Sequence, residues 1–302
     1  MSRYTRAMHP PVRLVAIDMD GTLLDSIDRA VSRRNAAALL AAQQAGITVA
    51  IATGRRTAYT TPFLEGLGLR ADTPLITSNG VVTSTLGGET TASFPMPANV
   101  ARELCSLLRP FGVVVFTFDR IGRGALVLED LDQTQDRIAF WIAANREAIE
   151  VVQPLELALV DGNDPIQGML AGRIADMRRA EEALQSSSVA GRCAWVRTEY
   201  PSRDLSIVDL LAVGVSKGCA LERLADRLGV DRAATMAIGD NWNDVDMLEW
   251  AGQAVLMENA VPELKEMARL SGWQQAPTND ADGVAAVLEA VVDRIRAAQP
   301  LV

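Results

Sequence analysis

Two carboxylates with one residue between them, Asp18 and Asp20, close the apolar run from Leu14 to Ile17 and are followed at once by Gly21 and Thr22. Acids so placed can divide a reaction, one attacking as nucleophile while the other donates and accepts protons. Gly21 lets the chain fold closely there without a side-chain clash. A carboxylate that attacks phosphorus needs its own charge and the phosphate's charge neutralised. Magnesium held by oxygen ligands does this, and Asp18, the backbone carbonyl of Asp20 and Asp240 are the candidates to supply them. Thr53, with neighbouring backbone amides such as that of Gly54, would hold the phosphoryl oxygens. The ammonium of Lys217, at the expected start of a helix, would balance the remaining charge.

The elements that must position these groups follow from an alternation of β-branched apolar runs with helical patterns, which predicts a parallel sheet covered by helices on both faces. Strands are expected at Leu14 to Ile17, Ile47 to Ile51, Pro74 to Thr77, Thr235 to Ile238 and Ala254 to Met257. Ser32 reads as the N-cap of a helix over RRNAAALLAAQQ, with Gly46 as its stop. Further helices are expected at Ser216 to Leu228 and Asp244 to Trp250, each with a glycine beyond it. Four of the strands end in small or polar residues: D-M-D-G-T, T-G-R, S-N-G and G-D-N-W-N-D. Any one such cluster is ordinary for a strand-to-helix turn. Four on one edge of an open parallel sheet, where ligands bind, mark a site.

Between Thr85 and about Leu210 the pattern changes. GVVVFTF and ALVLED read as a hairpin joined through DRIGRG, and Thr134 to Ile149 as a helix. PIQGMLAG reads as a strand, Ile174 to Gln185 as a helix, and CAWVRTEYPSRDLSIVDLL as two adjacent strands. The expected fold is therefore α/β: a Rossmann-like core of residues 1–84 and 211–302, discontinuous in sequence, with 85–210 inserted as an α+β domain.

Composition narrows the chemistry. The chain has 302 residues, 49% of them hydrophobic, which is enough for a sizeable core, and no apolar stretch approaches the length of a membrane span. A net charge of −9 argues against a nucleic-acid partner. The one histidine, His9, lies in an N-terminal stretch read as a short mobile tail without a secretory signal, so histidine-based catalysis and metal binding are not expected. Cys105, Cys193 and Cys219 show neither zinc spacing nor a redox pair and suit a cytoplasmic protein. Of 29 basic residues only Lys217 and Lys265 are lysines, which singles out Lys217.

In their order, D-M-D-G-T at 18–22, T-G-R at 53–55, S-K-G at 216–218 and G-D-N-W-N-D at 239–244 resemble the motifs of the haloacid dehalogenase superfamily. S-N-G at 78–80, V-S-K-G at 215–218 and D-G-V-A at 282–285 are similar to its Cof-type phosphatases. The resemblance runs from Arg13 to Ala290. It implies Asp18 as the nucleophile forming an aspartyl-phosphate and Asp20 as general acid and then base. Thr53 and Lys217 would bind the phosphoryl group, and Asp240 the metal. Asn243 and Asp244 would support phosphate and metal, and Asn79 would lie near phosphate or substrate. The insertion becomes a cap domain that closes over the site and chooses the leaving group. AVGVSKG departs from the family's pattern, which has proline shortly before the glycine, but touches no catalytic position.

These residues predict a magnesium-dependent phosphatase for a small phosphorylated metabolite, a sugar phosphate or a nucleotide-derived cofactor, working in the cytoplasm as a monomer or homodimer, with no nucleic acid and no membrane. A phosphomutase of the same superfamily and a non-catalytic protein retaining the fold are the alternatives. Halide release does not need Asp20. Arg55 and Arg56 are candidates to steer an anionic substrate. Asp25 and Asp28 read as a solvated turn, Trp242 as packing and Lys265 as surface charge.

Overall fold

The computed structural model describes residues 10–27, 29–131 and 138–298. The expected tail with His9, and Asp28, lie outside them. The first elements are β1 (Leu14–Ile17), α1 (Arg33–Gln44), β2 (Thr48–Ala52), α2 (Thr57–Leu64), β3 (Pro74–Thr77), β4 (Val82–Thr85) and β5 (Thr90–Ser93). There follow α3 (Ala98–Leu108), β6 (Val114–Thr117), β7 (Leu126–Leu128), α4 (Ala139–Ala144), β8 (Ile149–Val151), β9 (Gln167–Gly172), α5 (Ile174–Gln185), β10 (Cys193–Tyr200) and β11 (Leu205–Ala212). The last are α6 (Lys217–Leu228), β12 (Thr235–Gly239), α7 (Val245–Trp250), β13 (Gln253–Met257), α8 (Pro262–Ser271), β14 (Gln274–Ala276) and α9 (Gly283–Ala298). Two compact units result: residues up to Thr91 with those from Lys217 onward, and Ala92–Ser216. No helix among the described residues is long and apolar enough to cross a membrane.

In the first unit the sheet runs β14-β13-β12-β1-β2-β3-β4-β5. It is parallel from β14 to β3, and β4 then turns back antiparallel on β3. The pleat gives the two faces different side chains, with most of the alanines on one of them. On one face Val15, Ile17, Val49, Ile51, Met236 and Ile238 pack against α1 and α9. On the other, Ala16, Ala50, Ala52, Ala237 and Ala254 meet α6, α7 and α8. Small residues on that second face let those helices lie close to the sheet. Ser32 caps α1 as expected, its side chain accepting from the Asn35 amide. Ile17 is level with Ile238 on one side and Ile51 on the other, so the residues after β1, β2 and β12 emerge at one edge.

The second unit is a six-stranded sheet, β10-β11-β9-β6-β7-β8, antiparallel except where β8 joins β7. Helices α3 and α5 cover one face through Val100, Leu104, Met177 and Leu184, and Ile142 of α4 packs on the other. The helix expected at 134–149 is shorter. Residues 134–137 lie outside the described chain, α4 ends before Asn145, whose side chain bonds back to the Trp141 carbonyl at 2.8 Å, and Ile149 opens β8.

Candidate active site

The Asp18 amide extends the ladder by donating to the Ile238 carbonyl at 3.0 Å, which holds Asp18 at the tip of β1. The chain then wraps the Met19 carbonyl, which accepts from the amides of Thr22, Leu23 and Leu24. Gly21 makes this turn with φ +85, and a Cβ there would overlap the carboxylate of Asp240. Only glycine allows the two loops to approach so closely. Thr22 closes the contact by donating its hydroxyl to Asp240 Oδ1 at 2.8 Å. Asn259, beyond β13, donates to the Gly21 carbonyl at 2.7 Å and to Asp240 Oδ2 at 3.4 Å.

At the end of β12 the loop is braced by Asp244. Its Oδ2 accepts from the amides of Asp240 at 3.0 Å and Asn241 at 3.1 Å, in a capping box with Asn241. Its Oδ1 accepts from Lys217 Nζ at 2.7 Å. The same ammonium donates to Asp18 Oδ1 at 2.6 Å. Lys217 opens α6, and the start of that helix is fixed by Asp246, whose Oδ2 accepts from the Gly218 amide at 2.8 Å. Asp18, Lys217, Asp240 and Asp244 are all buried.

One ammonium therefore bonds two carboxylates of a group of three, and oxygens of Asp18, Asp240 and Asp244 lie within 4.8 Å of one another. Burial, and then the charge of Asp244, push Asp18 up to about 7 against the pull of Lys217. Burial and the charges of Asp18 and Asp244 likewise push Asp240 well above the usual carboxylate range. Burial disfavours the charge on Lys217, but Asp18 and Asp244 outweigh it and hold the ammonium protonated. A compact set of hard oxygen donors with excess negative charge suits a small divalent cation such as Mg²⁺.

The carboxylate of Asp20 is not part of this group. It accepts from Arg55 Nε at 2.6 Å and Nη2 at 2.5 Å, and from Arg29 Nη2 at 3.1 Å. Burial alone would raise its pKa, but the hydrogen bonds and charge of Arg55, then of Arg29, bring it below the ordinary value. Arg55 also lies over the Phe63 ring at 4.5 Å.

The loops after β2 and β3 interlock. The Thr53 carbonyl accepts from the Asn79 amide at 3.0 Å, the Arg55 carbonyl from the Ser78 amide at 2.8 Å, and Thr53 Oγ1 from the Arg55 amide at 3.2 Å. Asn79 has φ 53, a left-handed conformation that asparagine tolerates better than most residues. Its Oδ1 accepts from Asn243 Nδ2 at 3.2 Å and would lie 3.2 Å from a Cβ on Gly54. This bond joins Asn79 and Asn243 across the loops, with Gly54 close against the Asn79 side chain.

Arg56 stacks on Tyr59, and Lys265 pairs with Glu258. Trp242 packs against the core beneath α6 and α7, and Asp25 ties its own loop. Arg29, Asn259 and Asp246 belong to the site's framework without having been singled out from the sequence.

The chain matches the family model of haloacid dehalogenase-like hydrolases over residues 15–288. It is 31% identical over 300 residues to phosphatase YwpJ of Bacillus subtilis (strain 168), covering 92% of this chain and 99% of that one. It is 29% identical over 294 residues to 5-amino-6-(5-phospho-D-ribitylamino)uracil phosphatase YwtE of the same organism, covering 91% and 96%. Among solved structures, a haloacid dehalogenase-like hydrolase from B. subtilis superposes with a TM-score of 0.75 at 26% identity, covering 92% of this chain and 99% of that one.

Proposed function

Because the chain belongs to the haloacid dehalogenase-like hydrolases, we propose that it is a magnesium-dependent phosphatase of a small phosphorylated metabolite and works in the cytoplasm. The observation that carries this reading is the Lys217 ammonium bridging Asp18 and Asp244, with Asp240 beside them. The names of the relatives add to it, since that of YwtE specifies a phosphorylated ribityl compound.

Asp18 is the nucleophile. Lys217 fixes its carboxylate and favours the ionised form that attacks phosphorus, giving an aspartyl-phosphate. Asp20 is assigned the acid–base role: it takes up a proton for the departing oxygen against the pull of Arg55 and Arg29, which favour its ionised form, and as a carboxylate it deprotonates the water that hydrolyses the aspartyl-phosphate. Thr53, the Gly54 amide, Asn79, Lys217 and Asn243 hold the phosphoryl oxygens. Asp18, the Asp20 carbonyl and Asp240 would hold magnesium, with Asp244 in support. The ion supplies neutralisation of the carboxylate and phosphate charges. The inserted segment, 85–210 in sequence, is assigned the role of a cap that selects the leaving group.

The test is a screen of the purified protein with magnesium against phosphorylated metabolites and an aryl phosphate, scored by phosphate release, with Asp18→Asn as the control. Phosphate release that persists in that variant, or no release from any ester, rejects the proposal.

A further inference from the structure

Two guanidiniums share the carboxylate of Asp20, and they are held differently. Arg55 takes both oxygens, rests on Phe63 and has a side chain 19% exposed. Arg29 makes one contact, 3.1 Å to Oδ1, and its side chain is 54% exposed. Arg55 alone balances the charge of Asp20, so among these three side chains the charge of Arg29 is in excess.

The backbone that delivers Arg29 is built for its position. Arg29 has φ 52, a left-handed conformation that costs a residue with a Cβ about 1–2 kcal/mol. The loop holds it there through Asp25, whose carboxylate accepts from the amides of Ile27 and Ala30 and whose own amide donates to the Ala30 carbonyl. The loop is tied down in turn by Asp280, which accepts from the Ser26 amide at 2.7 Å, and by Asn279, which donates to the Leu24 carbonyl at 2.9 Å. Backbone strain that the surrounding structure holds in place clusters at functional sites.

We infer that Arg29 binds the leaving group, and that the preferred substrate carries a second anionic group, a carboxylate or a phosphate, close to its scissile oxygen. The inference rests on the reading of Asp20 as the general acid. An acid must come within about 2.6–3.2 Å of the oxygen it protonates. Arg29 Nη2 lies 3.1 Å from Asp20 Oδ1, which puts it within about 6 Å of the departing oxygen when Oδ1 carries the proton. An anion attached to the carbon that bears this oxygen is within reach of a charge-assisted hydrogen bond from Arg29, whose planar fork matches carboxylate and phosphate alike.

The enzyme with magnesium is assayed on 2-phosphoglycerate and glycerol 2-phosphate, which differ by a carboxylate in place of a hydroxymethyl group, on inorganic pyrophosphate, and on p-nitrophenyl phosphate. The expected result is a kcat/KM at least about ten-fold higher for one anionic-leaving-group substrate than for glycerol 2-phosphate. 2-Phosphoglycerate reports a carboxylate and pyrophosphate a phosphate. Arg29→Gln brings that ratio close to one, whatever loss is common to both substrates. Arg34→Gln, which removes an equal charge paired with Glu289 on the surface, keeps the ratio. No preference in the parent enzyme, a preference that survives Arg29→Gln, or one that falls equally in Arg34→Gln overturns the inference, while hydrolysis of the aryl phosphate leaves the phosphatase reading standing. No hydrolysis of any ester overturns that reading and the inference with it.

Discussion

Lys217→Met removes the positive charge from a group of three buried carboxylates. Nζ lies 2.6 Å from Asp18 Oδ1 and 2.7 Å from Asp244 Oδ1, and the side chains of Lys217 and Asp244 are fully buried. Methionine fills nearly the same volume, so the change isolates the lost charge from a cavity. Removing one partner of a buried pair costs about 3–5 kcal/mol. At roughly 2–4 °C per kcal/mol, the thermal midpoint of the metal-free protein should fall by roughly 6–20 °C. The deficit depends on pH. Asp18 titrates at about 7 in the folded protein against an ordinary 3.8, so the folded state keeps a proton that the unfolded chain releases. Stability is therefore lost as pH rises through that window, at up to about 1.4 kcal/mol per pH unit for this group. Without Lys217 the carboxylate moves higher still, and the variant's deficit should be larger at pH 8 than at pH 5. Magnesium should restore part of the midpoint at pH 8 by binding the folded form. Thermal unfolding of both proteins at the two pH values, in chelator and in magnesium, measures this. A midpoint unchanged at pH 8 in chelator, or a deficit equal at both pH values, refutes the electrostatic account.

Asp20→Asn should stall on alkyl phosphates, whereas an aryl phosphate, whose leaving group needs little protonation, should give a burst of phenol, then slow turnover with phosphate trapped on Asp18; equal slowing of both without trapped phosphate would reduce Asp20 to a structural acid. Gly21→Ala places a methyl group on the Asp240 carboxylate at φ +85; it should abolish the rise in thermal midpoint that magnesium gives the parent protein, and an undiminished rise contradicts this placement of Asp240. Asp246→Ala strips the acceptor from the Gly218 and Met247 amides, at a cost of about 1–2 kcal/mol; kcat should fall with it, and Asp246→Asn, which keeps one acceptor, should recover most of both.

What was legible in the sequence depended on the distance over which each signal acts. β1, β3 and α5 lie within the expected bounds because alternation, caps and glycine stops are local. β4 and β8 were not expected: Val82–Thr85 is held by pairing with β3, and Ile149–Val151 by pairing with β7, while the residues before Ile149 read as helix. The acids stood out because four polar clusters fall on one edge of the sheet, and Lys217 because lysine is scarce in this chain. Arg29 was hidden among many arginines. Asn259 and Asp246 were hidden because the groups they hold, the Gly21 carbonyl and the Gly218 amide, are 238 and 28 residues away. The bidentate pair of Arg55 with Asp20 spans 35 residues and two loops, so the sequence offered Arg55 only as a candidate for steering substrate.

The split of the first unit around Ala92–Ser216 sets the order in which the protein can be made. Asp18 is synthesised 199 residues before the lysine that holds it. At a synthesis rate of about 5–20 residues per second, β1 waits roughly 10–40 s for that partner, and longer for its neighbour β12. The inserted unit is continuous and has its full set of strands by the time Ala212 is added, so it can fold while one side of β1 still lacks its partner. That open, wholly apolar edge exposes the growing chain to aggregation. The candidate site is accordingly a late product of synthesis: no fragment that stops before Asp244 contains it, although Asp18 is made 199 residues before Lys217.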